Sequence, residues 1–201
     1  TEIKTENRVG VKEEDNDSNI VGVKEENKES NIVGIENKKE NSEEIKDLLR
    51  QLKELSALAQ EILDYESVIK EAADKYHQYD NIFFIGRGLD YTVALEGALK
   101  LKEISYIHAQ AYAAGELKHG TLALIVEGIP VIALATQTDI FDKMVSNIKE
   151  VKTRGARVIA IALAENEEID QVADEVIEVP QVDPLLSPLL TVIPLQLFAY
   201  Y

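Results

Sequence analysis

The sequence predicts an α/β fold in which a parallel sheet is covered by helices on both faces. Three observations carry that reading. Four short β-branched runs, Ile82–Gly86, Val131–Thr136, Val158–Leu163 and Val176–Val179, are each bounded by turn residues. The runs are largely apolar rather than alternating, as strands buried on both faces must be. Helix-period stretches near 89–107, 138–153 and 167–174 separate them, and strands alternating with helices build parallel sheets.

Taken in order, residues 1–41 are a different material. VGVKEE at 9–14 recurs at 21–26 and, as VGIENK, at 33–38. Asn, Ser, Asp and Glu fill the gaps without a sustained apolar face. Such a segment cannot bury enough surface to offset its ordering entropy, so it is expected to be disordered. The folded domain is expected over 42–201. Ser42 is a good N-cap with Glu43 and Glu44 in the first turn, and Ile45, Leu48, Leu49, Leu52, Leu55 and Leu58 recur at helical spacing. A second helix is expected over Tyr65–Tyr76. Gly86-Arg87-Gly88 marks the first strand-to-helix turn, and the helix after it reads through to His108. Thr136-Gln137-Thr138-Asp139 closes the next strand. The last element is an apolar helix begun at Asp183-Pro184. The chain stops inside it at Tyr201 with no C-cap, so the sequence is expected to be incomplete.

Composition narrows the function classes. The 201 residues are 45 % hydrophobic, as in a globular protein, and carry a formal charge of −16. That charge argues against nucleic acid, whose phosphates need a basic patch. With no cysteine, disulfides, thiolate zinc sites and a cysteine nucleophile are excluded. No metal and no cofactor are expected. Leu185–Tyr201 is the longest apolar stretch, but Pro188 and Pro194 interrupt it, so no membrane span is expected. The charged first residues do not read as a secretory leader, and the composition fits a reducing cytoplasm.

The chemistry-bearing segment is Ala94-Leu-Glu-Gly-Ala-Leu-Lys-Leu-Lys-Glu-Ile-Ser-Tyr-Ile-His108. On a helix, Glu96, Lys100 and Glu103 project from one face at offsets of four and three. Shortly after, Lys118-His119-Gly120 adds an imidazole, the side-chain type most often used for proton transfer. Carboxylate, ammonium and imidazole suit a sugar isomerisation, in which a proton moves between two carbons and a ring must open. Spacing alone equally describes a solvated charged helix face with a stray histidine.

ALEGALKLKEISYIHAQAYAAGELKHG, preceded by FFIGRGLDY and followed by GTLALI, PVIALAT, MVSNIKEVKTRGARVIAIA and PLQLFAYY, resembles the second sugar-isomerase half of the glucosamine-6-phosphate synthases (glutamine–fructose-6-phosphate aminotransferases) over roughly 45–201. The resemblance implies a SIS domain, a three-layer αβα, flavodoxin-like parallel sheet. It implies conversion of fructose-6-phosphate to glucosamine-6-phosphate, with ammonia from a separate glutaminase domain and a first isomerase half, both absent from this sequence. It makes Glu103 the base that shuttles the C1/C2 proton, Lys100 its cationic neighbour, and His119 the ring-opening acid/base. Family members place that histidine in the partner subunit's site, which implies a homodimer. Gln110 departs from the family's usual glutamate.

Further candidates are substrate-binding positions. Arg87 and Gly88 lie at a strand end, where ligands of such sheets bind and helix N-termini attract anions; a structural turn is the competing reading. Thr136 and Thr138 fall where the family's first half carries a phosphate-holding S-Q-S-G-E-T loop, and read as its eroded equivalent. Glu96 is expected to position Lys100. His77 is expected to be exposed, and His108 to cap a helix end. Two other readings stand beside catalysis: a non-catalytic sugar-phosphate sensor and a dimerisation module.

Overall fold

The computed structural model describes residues 42–164 and 166–201; the expectation for 1–41 falls outside them. Helix α1 covers 42–64 and α2 covers Glu66–Tyr76. Then follow β1 (Asn81–Gly86), α3 (Leu89–Ser105), β2 (His108–Ala113), two short 3-10 turns (Ala114–His119 and Thr121–Leu124) and β3 (Pro130–Ala135). After a 3-10 turn at Thr138–Ile140 come α4 (Phe141–Thr153), β4 (Arg157–Leu163), the one-turn α5 (Glu167–Asp170), β5 (Glu175–Val179) and α6 (Ser187–Tyr200). Two units divide after Asp47; the described part of the first, 42–47, is helical, with Lys46 2.6 Å from Glu43.

In the second unit the five strands are all parallel, in the order β2-β1-β3-β4-β5. Successive side chains of a strand point to opposite faces, and the core divides accordingly. Ile82, Phe84, Ile132, Leu134, Ile159 and Ile161 pack on one side with residues of α2, α3 and α6. Phe83, Ile85, Val131, Ala133, Val158 and Ala160 pack on the other with α4 and with Ala114 and Leu117 of the first 3-10 turn. The three-layer, doubly wound architecture is therefore the expected one. Every buried side-chain nitrogen or oxygen among the described residues has a hydrogen-bond partner. Among these residues no helix is long and apolar enough to cross a membrane, and no group of acidic or histidine side chains could hold a metal ion.

The structure corrects the sequence reading around residue 106. The helix does not reach His108: Tyr106 takes a left-handed conformation (φ 63°) and ends α3 at Ser105. The Ser105 hydroxyl donates to the Leu101 carbonyl, 2.6 Å away, as the chain turns. His108 then opens an edge strand that the sequence reading lacked, and is not a helix cap. Its HAQAYA has no β-branched residue and a single strand-favouring side chain, Tyr112, so its composition signals a strand only weakly. Likewise the helix expected over 167–174 is a single turn, capped by the Asn166 side chain accepting from the Glu168 and Ile169 amides.

Candidate active site

Helix α3 returns from the carboxyl end of β1 to the amino end of β2, because both strands run the same way and pair Asn81 with His108 and Gly86 with Ala113. At 1.5 Å per residue, Lys100 lies about 18 Å beyond the Gly88 turn, close to the amino ends of the strands. The spacing expected from the sequence holds there. Lys100 Nζ donates to Glu103 Oε2 at 2.8 Å and lies 3.6 Å from Glu96 Oε1. The Glu103 hydrogen bond and charge, with Glu96 behind them, hold the Lys100 pKa above the usual lysine value, so this ammonium stays charged at physiological pH. The wall is open to water, with the Glu103 side chain 52 % exposed.

The second cluster lies at the opposite, carboxyl end of the sheet. Gly88 sits at φ 55°, ψ −130°, a conformation that side chains other than glycine rarely adopt. A Cβ on Gly86 would lie 2.6 Å from the Asp90 carbonyl, so this turn demands glycine for packing as well. Arg87 Nη1 donates to Asn147 Oδ1 on α4 at 2.9 Å.

Asp90, missed by the sequence reading, organises this end. It is 2 % exposed and accepts from the Thr136 amide at 2.7 Å and from the Thr136 hydroxyl at 2.6 Å. Burial lifts its pKa above the usual carboxylate value, opposed by these bonds and the Gln137 backbone. Gln137 Nε2 donates in turn to Ser187 Oγ at 2.9 Å, joining β3 to the start of α6. Thr136 is thus buried and bonded to Asp90, while Thr138 presents its side chain at the surface. The partners lie 46 and 50 residues apart in sequence, so no local pattern signals them.

His119 does not join the Lys100–Glu103 wall. It ends the 3-10 turn that follows β2, at the carboxyl end of that strand, and the turn's Ala114 and Leu117 pack in the core layer opposite α3. Its exposed ring has Nε2 3.9 Å from Glu116 Oε2. His77 is exposed, as expected, with Nδ1 2.8 Å from the Asp74 carbonyl. A groove of about 620 Å³ between α2 and β5, lined by Ile62, Tyr65, Ile69, Val176 and Val179, lies at the sheet edge remote from β2 and contains none of these groups.

A doubly wound α/β domain with one charged wall on its first crossover helix, and a buried polar tie at the carboxyl end of its sheet, is the class that these features define. The chain belongs to the SIS domain family, whose profile matches residues 75–201. It is 53 % identical over 161 residues to a glutamine–fructose-6-phosphate aminotransferase (isomerizing) of Clostridium tetani, covering 80 % of this chain and 26 % of that protein. A Thermus thermophilus protein of the same name is 52 % identical over 158 residues, covering 79 % and 26 %. Among solved structures, the C-terminal domain of the glucosamine-fructose-6-phosphate aminotransferase of Francisella tularensis superposes with a TM-score of 0.69 at 37 % identity, covering 75 % of this chain and 43 % of that one. The chain therefore spans about a quarter of the length of the curated relatives it matches.

Proposed function

We propose that residues 42–201 act as the second isomerase half of a glutamine–fructose-6-phosphate aminotransferase, on fructose-6-phosphate and as one of two copies. The observation that carries the reading is the Glu96–Lys100–Glu103 wall, in which the Glu103 carboxylate lies 2.8 Å from the Lys100 ammonium and raises its pKa, with Glu96 3.6 Å away on the other side. Once ammonia has condensed with the C2 carbonyl of the open-chain sugar and water has left, Glu103 takes a proton from C1 and returns it to C2 while the C1 hydroxyl proton passes to the nitrogen, giving a C2 amine and a C1 aldehyde. Lys100 offsets the negative charge that develops in between, and Glu96 holds Lys100 in place. His119 opens the sugar ring in the site of a second copy. That assignment is supported by its position in one chain, at the other end of the sheet and in the other layer from Lys100.

Two further observations fit a site completed by other surfaces. The wall faces water, whereas proton transfer from carbon gains from a closed site. Leu95 and Leu99 of α3 and Leu189 of α6 are 46 %, 42 % and 54 % exposed, an apolar surface suited to a second copy or to a first isomerase half. Thr138 lies at the same carboxyl end as His119, so like that imidazole it would serve the sugar phosphate of a second copy's site, while Arg87, Gly88 and Thr136 hold the loops around it. Ammonia comes from a separate glutaminase domain, since no cysteine is present to hydrolyse glutamine. The setting is the cytoplasm.

Calorimetric titration of the chain with fructose-6-phosphate tests the assignment of the wall. Millimolar binding that changes in Glu103→Gln and weakens in Lys100→Met supports it; binding of unchanged strength in both variants contradicts it.

A further inference from the structure

The 3-10 turn that carries His119 is short, exposed at its tip and has no capping side chain. A polar chain nevertheless ties it back to the first strand-to-helix turn. Arg87 Nη1 donates to Asn147 Oδ1 at 2.9 Å, and Asn147 Nδ2 donates to Glu150 Oε2 at 3.3 Å. Glu150 Oε1 then lies 2.7 Å from Lys118 Nζ, the residue before His119. Asn147 is 5 % exposed, so its amide has exchanged water for these two partners. Arg87 also packs directly beneath the turn: a Cβ on Gly115 would lie 2.8 Å from Arg87 Nη1 and 3.2 Å from Nη2. The guanidinium is therefore clamped between the turn's backbone on one side and α4 on the other.

We propose that Arg87, Asn147, Glu150 and Lys118 form a strut that fixes the His119 turn relative to the Gly86–Gly88 loop, with Asn147 and Glu150 as positioning residues for the imidazole. The catalytic use of that imidazole rests on the function proposed above; the strut itself does not. Asn147 is the keystone because its amide accepts from one side and donates to the other. Substitution by aspartate keeps the acceptor for Arg87 but sets a carboxylate against Glu150, so it separates the two links.

Amide exchange of peptides spanning 113–121, in the full chain without sugar, is the test, read beside the imidazole proton signals of the three histidines. Asn147→Ala is expected to speed exchange of the turn about tenfold, the effect of losing a hydrogen bond to a charged group. The His119 signal shifts while those of His77 and His108 stay. Asn147→Asp gives a smaller acceleration. Gly115→Ala, which pushes the guanidinium off Asn147 without touching α4, reproduces the effect should Asn147→Ala fail to fold. Val145→Ala, a core substitution on the same helix, lowers stability without this local signature. Exchange in Asn147→Ala and Gly115→Ala within twofold of the parent overturns the strut, as does equal acceleration in Val145→Ala. Because no sugar is present, either result leaves the isomerase reading to be judged separately.

Discussion

Replacing Asp90 by alanine should cost far more than replacing it by asparagine, and the contrast can be worked from the geometry. In Asp90→Ala, the Thr136 amide and hydroxyl lose the acceptors now 2.7 and 2.6 Å away, inside a region from which water is excluded. Each stranded donor costs about 1–3 kcal/mol. Relief of the buried carboxylate's own desolvation returns part of this, leaving a net loss of about 3 kcal/mol. In Asp90→Asn, the side-chain oxygen still accepts from the Thr136 amide, and the new NH2 donates to the Thr136 hydroxyl with its role reversed. That variant should lie within about 1 kcal/mol of the parent. The pH dependence follows from the raised pKa. The folded state holds the Asp90 proton more tightly than the unfolded state, so this group favours folding below its unfolded pKa, and the contribution fades as pH rises through the folded value. Asp90→Asn removes that fade, so its stability relative to the parent should climb with pH across the acid range. Urea unfolding followed by circular dichroism, with a shared slope, reads both effects. A loss below about 1 kcal/mol in Asp90→Ala, or a pH-independent difference between Asp90→Asn and the parent, would refute the assignment of this carboxylate as the tie between α3 and β3.

Two further outcomes are expected. Burial pushes the Asp174 pKa up, but the Lys152 bond, the Val158 amide and the Lys152 and Arg157 charges hold it below the ordinary value. Its contribution is therefore present above the unfolded pKa and lost as pH falls through the folded one; Asp174→Asn should cost about 1 kcal/mol at neutral pH in urea unfolding and flatten the acid limb. Lys100→Met and Glu103→Gln remove a solvent-screened pair and should leave the unfolding temperature close to that of the parent, which thermal unfolding checks, so any loss of sugar binding in them is not a folding effect.

The sequence made the sheet legible where burial on both faces forces apolar runs, as in Phe83–Ile85, Val131–Leu134 and Val158–Ala162. It concealed β2, because an edge strand of Ala, Gln and Tyr packs few branched side chains and follows directly on a leucine-rich helix. The Lys100–Glu103 wall was legible since helical spacing fixes neighbours three and four residues apart. Asp90, Thr136, Gln137 and Ser187 were not, since their meeting depends on the packing of α3, β3 and α6. The placement of His119 away from Lys100 follows from β2, and could not be read while that strand went unassigned.

The central claim is that the wall and the imidazole of one site come from different copies. It can be tested in a chimera of the Clostridium tetani relative, with its matching 161 residues replaced by those of this chain. Glu103→Gln and His119→Gln versions, each inactive alone, are mixed under subunit exchange and assayed for glucosamine-6-phosphate formation. Half of the dimers are then mixed, each with one intact site, so the account predicts recovery of about a quarter of the parent activity. No recovery in a mixture shown to have exchanged subunits would contradict it.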